Sequence, residues 1–373
     1  MSHLVTTGLG EFPDQIQWSL PLVAQGFQVL AGIQDVLERG QPGGNIGIAV
    51  GPGWSGDAGL PLALTCLRKA RLLGTGPAVT WLRDLLTRRT FEVRGYARVL
   101  GVSPGDAGVS LAPNLEIRPL AQSGSVRVGR SDMLAKREAE AVQRSIGTPT
   151  VLVASLQQSP AITEGAAQPQ PVHYDFWPIV NILGGLAASP ATLAYVWWEA
   201  ADPDLEACMM DAGVGWPMLD VDLAHRYQPA PMSAYAAQVV SCVVGSNGQF
   251  RRRLELAFER INQALKRQRP GDRALEAAIA LEALLNDEKT ELRYRYSLRA
   301  ARLLGSDFSD RRAVRKAVRD LYDLRSKVVH GGDIASSAKN DAIAAEGIRV
   351  ASEVARHLAL AGGIPDWDAV ELR

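Results

Sequence analysis

The C-terminal part of the chain has apolar residues at every third or fourth position, which is the spacing of one face of an α-helix. Glycine and proline, residues that end helices, separate these periodic stretches. Short connections between helices are typical of antiparallel neighbours in a bundle. The pattern predicts helices at residues 249–267, 272–285, 289–304, 310–330 and 335–360, with Asp272 and Asp310 as N-caps.

The first 156 residues show a different pattern, in which short apolar or alternating runs are separated by turn residues. Such runs are typical of strands, and they occur at residues 45–50, 91–100, 109–111, 115–120 and 150–155. Helical spacing is found at residues 16–38, 61–73, 79–86 and 132–144. After residue 172 only helices are predicted, beginning with residues 177–186, 191–200 and 233–244.

These patterns predict an α+β N-terminal region followed by an all-α C-terminal helical bundle. Residues 1–156 are interpreted as a mixed α/β domain with a regulatory or sensor role. Residues 157–171 are rich in Gln, Pro, Ala and Gly, a composition typical of a linker. Residues 172–234 are predicted to be a helical connector, and residues 235–362 form the bundle.

The composition is that of an ordinary globular protein, with 47% hydrophobic and 21% charged residues. Cys66, Cys208 and Cys242 are far apart and form no C-x-x-C pair, which argues against a zinc knuckle or a disulfide framework. The chain has no apolar run of about 18 residues and no secretory signal at its start. We therefore expect a cytoplasmic protein with no membrane span and no metal site.

The net charge of zero hides an asymmetry along the chain. Residues 251–330 contain 20 Lys or Arg and 12 Asp or Glu, so this segment is strongly basic and the remainder is equally acidic. A basic segment suits a polyanionic partner such as RNA. A solvated helical surface with ion pairs four residues apart, such as Glu291 with Arg295, explains the same charge.

Residues 51–56 formally match the G-x-G-x-x-G pattern of dinucleotide-binding proteins. Pro52 is awkward in the tight turn that this pattern needs, and no strand ending in an acidic residue follows at the expected distance. A glycine-rich surface loop is the better interpretation. A nucleotide-dependent enzyme is kept only as a remote alternative.

Residues 319–332 predict the end of an amphipathic helix that carries an Arg and a His beside its apolar stripe. Arg325 is always charged, whereas His330 can titrate near neutrality. Gly331 and Gly332 follow and can supply a left-handed helix cap. An Arg placed beside a proton-shuttling His is a suitable pair for phosphate chemistry. A purely structural role, in which each side chain satisfies helix carbonyls, is the alternative.

Three stretches together resemble the HEPN domain, an all-helical module of RNases and toxins. They are residues 278–285, residues 291–301 and residues 321–331, the last with the R-x4-H signature as Arg325 and His330. The ApeA-like subgroup is the most similar one, and the resemblance covers roughly residues 235–362. The position after the family's Arg is most often Asn, Asp or His, whereas this chain has Ser326.

The resemblance implies RNA cleavage without metal or cofactor, giving a 2′,3′-cyclic phosphate. In catalytic members two domains pair, so that two Arg/His sets form one composite site. Such proteins often act as toxins or anti-phage effectors that another domain, a regulatory protein or a phage-derived trigger controls. A non-catalytic HEPN scaffold, or a module that binds RNA or a partner protein, is the competing hypothesis.

Several other residues are candidates for supporting roles. Ser326, Glu282 and Glu291 can orient the Arg/His pair, although carboxylates are also ordinary on helix surfaces. The candidates for RNA binding lie on the same helices, and ion pairing or bundle packing explains them equally well; they are Arg295, Arg299, Arg302, Lys327 and Tyr322.

Overall fold

The computed structural model describes residues 46–50, 53–55, 59–88, 90–127, 132–144, 147–158, 162–164, 174–207, 227–285, 292–330 and 337–372. Within these residues the chain is mostly helical, with twelve α-helices and an antiparallel sheet in its middle part. The chain divides into two compact units. The first comprises residues 1–93, 157–172 and 200–213, and the second comprises the remainder. Elements are numbered below in chain order.

The first unit combines a small sheet with a helical hairpin. Strand β1 (Ile46–Val50) lies between β2 (Gly53–Ser55) and β8 (Ile162–Glu164), and both pairings are antiparallel. Helices α1 (Gly59–Leu73) and α2 (Thr75–Thr87) pack on each other and confirm the helices predicted there. Their core contains Cys66, Ala78 and Leu82, the last two of which share one face of α2.

Two predictions for this unit need correction. The glycine-rich segment was expected to be a surface loop, but Gly53–Ser55 forms strand β2 and turns back on β1, with Val50 opposite Gly53. A dinucleotide site needs a strand that leads into a helix, so this hairpin does not provide its geometry. Part of the predicted linker at residues 157–171 is strand β8. The predicted helix at residues 16–38 lies outside the described residues.

A five-stranded sheet with the strand order β5–β6–β7–β3–β9 has most of its residues in the second unit. The strands are β3 (Phe91–Leu100), β5 (Val109–Ala112), β6 (Leu115–Pro119), β7 (Thr150–Gln158) and β9 (Thr192–Ala200). A short strand β4 (Val102–Ser103) pairs in parallel with β10 (Ala230–Pro231). Helix α3 (Asp132–Arg144) provides Leu134 and Ala141 to the sheet's core, where Tyr96 and Trp197 stack at 5.0 Å.

The prediction of a helix at residues 191–200 is wrong, because this segment forms strand β9. All nine of its residues are buried, so the strand has no polar face and its sequence shows no alternation. A continuous apolar run of this length fits a buried helix or a buried strand equally well. The predicted connector at residues 172–234 is therefore not wholly helical. The domain boundaries at residues 156, 171 and 234 stay predictions. The two compact units do not test them, because each unit is made of three separate stretches of the chain.

From Ala236 to Glu371 the described residues form helices and their connections only, which confirms the all-α C-terminal region. Helix α4 precedes this region, and a short α5 lies in the first unit. The elements are α4 (Trp177–Ala187), α5 (Pro203–Ala207), α6 (Ala236–Gly245), α7 (Gly248–Lys266), α8 (Pro270–Leu285), α9 (Leu292–Leu304), α10 (Phe308–Val329), α11 (Ala338–Ala361) and α12 (Trp367–Glu371).

The five long predicted helices are all present, and two of them begin two residues earlier than predicted. Helix α8 begins at Pro270, two residues before the predicted cap. Helix α10 is capped by Asp307, whose carboxylate accepts a hydrogen bond from the backbone N–H of Asp310, the residue predicted to be the cap. Proline is well suited to a first helical position, because it has no N–H that would be left unpaired there.

Candidate functional site

Helix α10 is held in the bundle by an apolar stripe. Val314, Val318, Leu321 and Leu324 are buried, and the helix packs against α8, α9 and α11. Helix α11 approaches α10 closely where Gly347 lies: a Cβ at this position would be 2.5 Å from Leu321 Cδ1. The resulting packing fixes which α10 side chains face α8 and which face solvent.

Arg325 lies next to the stripe and is held by two neighbours. Its Nη2 is 3.1 Å from Glu282 Oε1 of α8, and its guanidinium carbon is 5.8 Å from the centre of the Tyr322 ring. The Arg325 side chain is 30% exposed, and its Nε is buried and has no hydrogen-bond partner among the described residues. Glu282 and Tyr322 therefore position the guanidinium while part of the side chain stays open to solvent.

Glu282 also accepts a hydrogen bond from the Tyr322 hydroxyl, at 3.2 Å from the same oxygen Oε1. Tyr322 is 5% exposed. Burial and the nearby Glu282 carboxylate raise the pKa of Tyr322 above its ordinary value. Glu282, Tyr322 and Arg325 thus form one connected set, named here the Arg325 cluster. A buried, hydrogen-bonded tyrosine offers no face for base stacking, which argues against the RNA-binding role considered for it.

His330 follows α10 as its C-cap, with its backbone N–H donating to the Ser326 carbonyl at 3.1 Å. His330, Ser326 and Lys327 are exposed. The structure therefore brings the Arg/His pair and its two polar neighbours to one end of α10. Glu291, Gly331 and Gly332 lie outside the described residues.

The three candidate arginines of α9 have different surroundings. Arg299 is 0% exposed: its Nε donates to Glu371 Oε1 and its Nη1 to the Leu285 carbonyl, each at 2.6 Å. This side chain holds the C-terminal helix α12 to the bundle and cannot contact RNA in this arrangement. Arg295 is partly buried. Arg302 is half-buried and lines a groove on the outer face of the hairpin of α9 and α10.

The groove has a volume of about 690 Å³ and is lined mostly by cationic side chains. Helix α9 contributes Arg293 and Arg302, and α10 contributes Arg311, Arg312, Arg315, Lys316 and Arg319. We call it the α9–α10 groove. Apart from Arg302, its cations were not recognised from the sequence. Their spacing along α10 places them on one helix face, and this helical periodicity of charge was the available signal.

No protein-family model, curated protein or solved structure matches this chain. Among the residues that the structure describes, no helix has the length and apolar character needed to cross a bilayer.

Proposed function

We propose that this protein is a metal-independent endoribonuclease of the HEPN type. In this proposal two protomers pair through the helical bundle, and Arg325 and His330 of each contribute to one composite site. The observation that carries the proposal is the end of α10, where Arg325 is held by Glu282 and is 30% exposed, and where the exposed His330 follows five residues later. The type of reaction is the one implied by the resemblance of Arg325 and His330 to the R-x4-H signature.

The chemistry needs three actions that these side chains can perform. The ribose 2′-hydroxyl must lose a proton, and the leaving 5′-oxygen must gain one, which a histidine near neutrality can do by general acid–base catalysis. The phosphorane oxygens gain negative charge, which a guanidinium can stabilise through paired N–H donors. The products are a 2′,3′-cyclic phosphate and a 5′-hydroxyl. Arg325 and His330 are assigned these roles.

The neighbouring residues are assigned positioning roles. Glu282 orients the Arg325 guanidinium through the 3.1 Å ion pair, and Tyr322 holds the Glu282 carboxylate from the other side. Ser326 and Lys327, both exposed near His330, can contact the phosphate backbone. Arg299 is left out, since its donors are already used inside the bundle.

In the cell, we place this activity in the cytoplasm as a toxin or anti-phage defence effector. Residues 1–156 are proposed to be the regulatory or sensor part, responding to a regulatory protein or a phage-derived trigger. The reducing environment suits a chain whose three cysteines are dispersed.

The test is cleavage of total RNA and of tRNA in EDTA by the full-length chain. Wild type is expected to cleave and to leave cyclic phosphate ends. Arg325→Ala and His330→Ala are each expected to lower the rate by about 100-fold or more. Arg252→Ala, which removes an exposed arginine of α7, is the matched control and is expected to cleave normally. Lack of cleavage by wild type, or equal cleavage by His330→Ala, would contradict the proposal.

A non-catalytic scaffold or binding module is the second candidate. It is favoured by the ion pair of Arg325 with Glu282 and by the capping position of His330, since both are also ordinary structural contacts. Under this alternative the chain dimerises and binds RNA or a protein but leaves RNA intact. Light scattering gives the oligomeric state independently, and a strictly monomeric protein would count against a composite site.

A further inference from the structure

The α9–α10 groove has far more positive than negative charge. Seven Lys or Arg side chains line it against two Asp side chains. Each aspartate already has a cationic partner: Asp323 lies 2.6 Å from Arg293, and Asp320 pairs with Lys316. Five arginines of the groove therefore have no ion-pair partner among the described residues, namely Arg302, Arg311, Arg312, Arg315 and Arg319.

Two of these guanidiniums are held in place by uncharged groups. Arg311 Nε donates to the Gly305 carbonyl at 3.2 Å, at the turn between the two helices. The Arg315 guanidinium carbon lies 5.2 Å from the centre of the Tyr294 ring, and its Nε is buried without a hydrogen-bond partner within the described part of the chain. These contacts fix the positions of the two charges without neutralising them.

Like charges three or four residues apart on a helix destabilise it. Arg311 with Arg315, and Arg315 with Arg319, are such pairs in the groove. A helix surface normally offsets this repulsion with acidic neighbours, and here the two aspartates that line the groove, Asp320 and Asp323, pair with Lys316 and Arg293. An anionic ligand in the groove would remove the repulsion, so the arrangement favours a bound polyanion.

The size and composition of the groove indicate the kind of polyanion. Arg312 and Arg319 are seven residues apart, a rise of about 10 Å along α10, which is too long for a single small anion and suits successive phosphates. Phe308 lines the same groove and is 82% exposed. An exposed ring beside a track of cations is the combination that binds single-stranded nucleic acid, with an unpaired base on the ring.

We infer that the α9–α10 groove binds the phosphate backbone of single-stranded RNA and that Phe308 stacks on one of its bases. The groove shares no residue with the Arg325 cluster. This inference therefore goes beyond the proposed cleavage, and binding is expected whether or not the end of α10 is catalytic.

The experiment measures binding of a fluorescently labelled oligouridine of about 12 nucleotides by anisotropy over a salt series. The full-length His330→Ala protein is used, and the RNA is checked on a gel afterwards so that cleavage does not affect the result. Arg312→Gln/Arg319→Gln removes two exposed charges of the groove. The slope of log affinity against log salt should become shallower by about 1.4, since each contact on a single strand contributes about 0.7.

The matched control is Arg252→Gln/Lys339→Gln, which removes two exposed charges of α7 and α11 outside the groove. It is expected to keep the slope of the parent protein. Circular dichroism of each variant checks that the helices are intact. Equal slopes for the groove variant and the control would overturn the inference.

Two further measurements test the ligand class. Phe308→Ala is expected to weaken binding of single-stranded RNA about fivefold or more. Duplex RNA of the same length and polyglutamate of the same charge are both expected to compete poorly. Unchanged binding by Phe308→Ala, or stronger binding of the duplex, would overturn the single-stranded assignment. Displacement by polyglutamate at equal charge would overturn the nucleic-acid assignment.

Discussion

The surroundings of Arg299 and Arg325 share two kinds of groups and differ in how far each arginine is buried. Each arginine has a glutamate partner and an aromatic ring: Glu371 and Trp367 for Arg299, Glu282 and Tyr322 for Arg325. Arg299 is fully buried and also donates to a backbone carbonyl. Arg325 is 30% exposed, and its Nε makes no hydrogen bond within the described residues.

This difference separates a structural arginine from one that can act on a ligand. A buried guanidinium must have its donors satisfied, because a buried charge without partners is very costly. A partly exposed guanidinium needs fewer protein partners, because water can solvate its exposed part. The Arg299 region therefore stabilises the bundle, whereas the Arg325 side chain is partly open to solvent, as the proposed contact with a phosphate requires.

The largest expected effect is on stability when Arg299 is removed. Arg299→Ala leaves Glu371 without its partner and the Leu285 carbonyl without its donor, so the free energy of unfolding should fall by about 3 kcal/mol or more. Arg325→Ala should cost less, about 1 kcal/mol, because its ion pair is partly exposed to solvent. Urea denaturation of the two variants measures both values. Equal losses would remove the distinction between the two sites.

The next effect concerns the positioning role of Glu282. Glu282→Gln keeps an acceptor for the Tyr322 hydroxyl but removes the charge that holds Arg325, so the cleavage rate constant should fall about tenfold. RNA affinity should stay equal or become stronger, because a negative charge is lost. Single-turnover cleavage assays separate these quantities. The control Glu259→Gln changes a partly exposed carboxylate of α7 and is expected to cleave at the wild-type rate. An unchanged rate for Glu282→Gln would contradict the positioning role.

A smaller effect is expected at alkaline pH from Tyr322. Because the pKa of Tyr322 is raised in the folded protein, the folded state keeps its phenol proton at a pH where the unfolded chain has lost it. The contribution of Tyr322 to the free energy of unfolding has its full value below about pH 10. It decreases above that pH, by about 1.4 kcal/mol at pH 11. Tyr322→Phe should reduce the alkaline loss by that amount. Urea denaturation at pH 9 and pH 11 checks this, and parallel losses in wild type and variant would contradict it.

The smallest effect lies in the α9–α10 groove, whose arginines belong to neither kind of site described for Arg299 and Arg325. Arg312→Gln removes repulsion with Arg315 and Lys316, so the free energy of unfolding should rise by about 0.2–0.5 kcal/mol at low salt. The gain should disappear in about 0.5 M salt, because exposed charges are then screened. Thermal unfolding at the two salt concentrations is the measurement. A loss of stability at low salt would mean that Arg312 has a structural partner.

Much of the helical region follows from the sequence, because its apolar spacing and its breaks are unambiguous. Strand β9 does not, since a segment buried on both faces loses the alternation that distinguishes strands. Arg325 and His330 can be proposed from a short motif. The sequence does not distinguish the roles of Arg299 and Arg302, because they lie three residues apart on the same helix. Arg299 is buried because α12 packs on it, whereas Arg302 lines the groove.

The tight turn between α9 and α10 has a consequence for the order of folding. The contact of Arg311 with the Gly305 carbonyl joins residues six apart, whereas the pair of Arg299 and Glu371 joins residues 72 apart. Closing the longer loop costs about 2 kcal/mol more chain entropy. Contacts between nearby residues form early, so the groove should assemble in the folding transition state and the Arg299 pair afterwards. A partly folded chain would then expose the cationic α9–α10 groove before the pair of Arg299 and Glu371 joins α9 to α12.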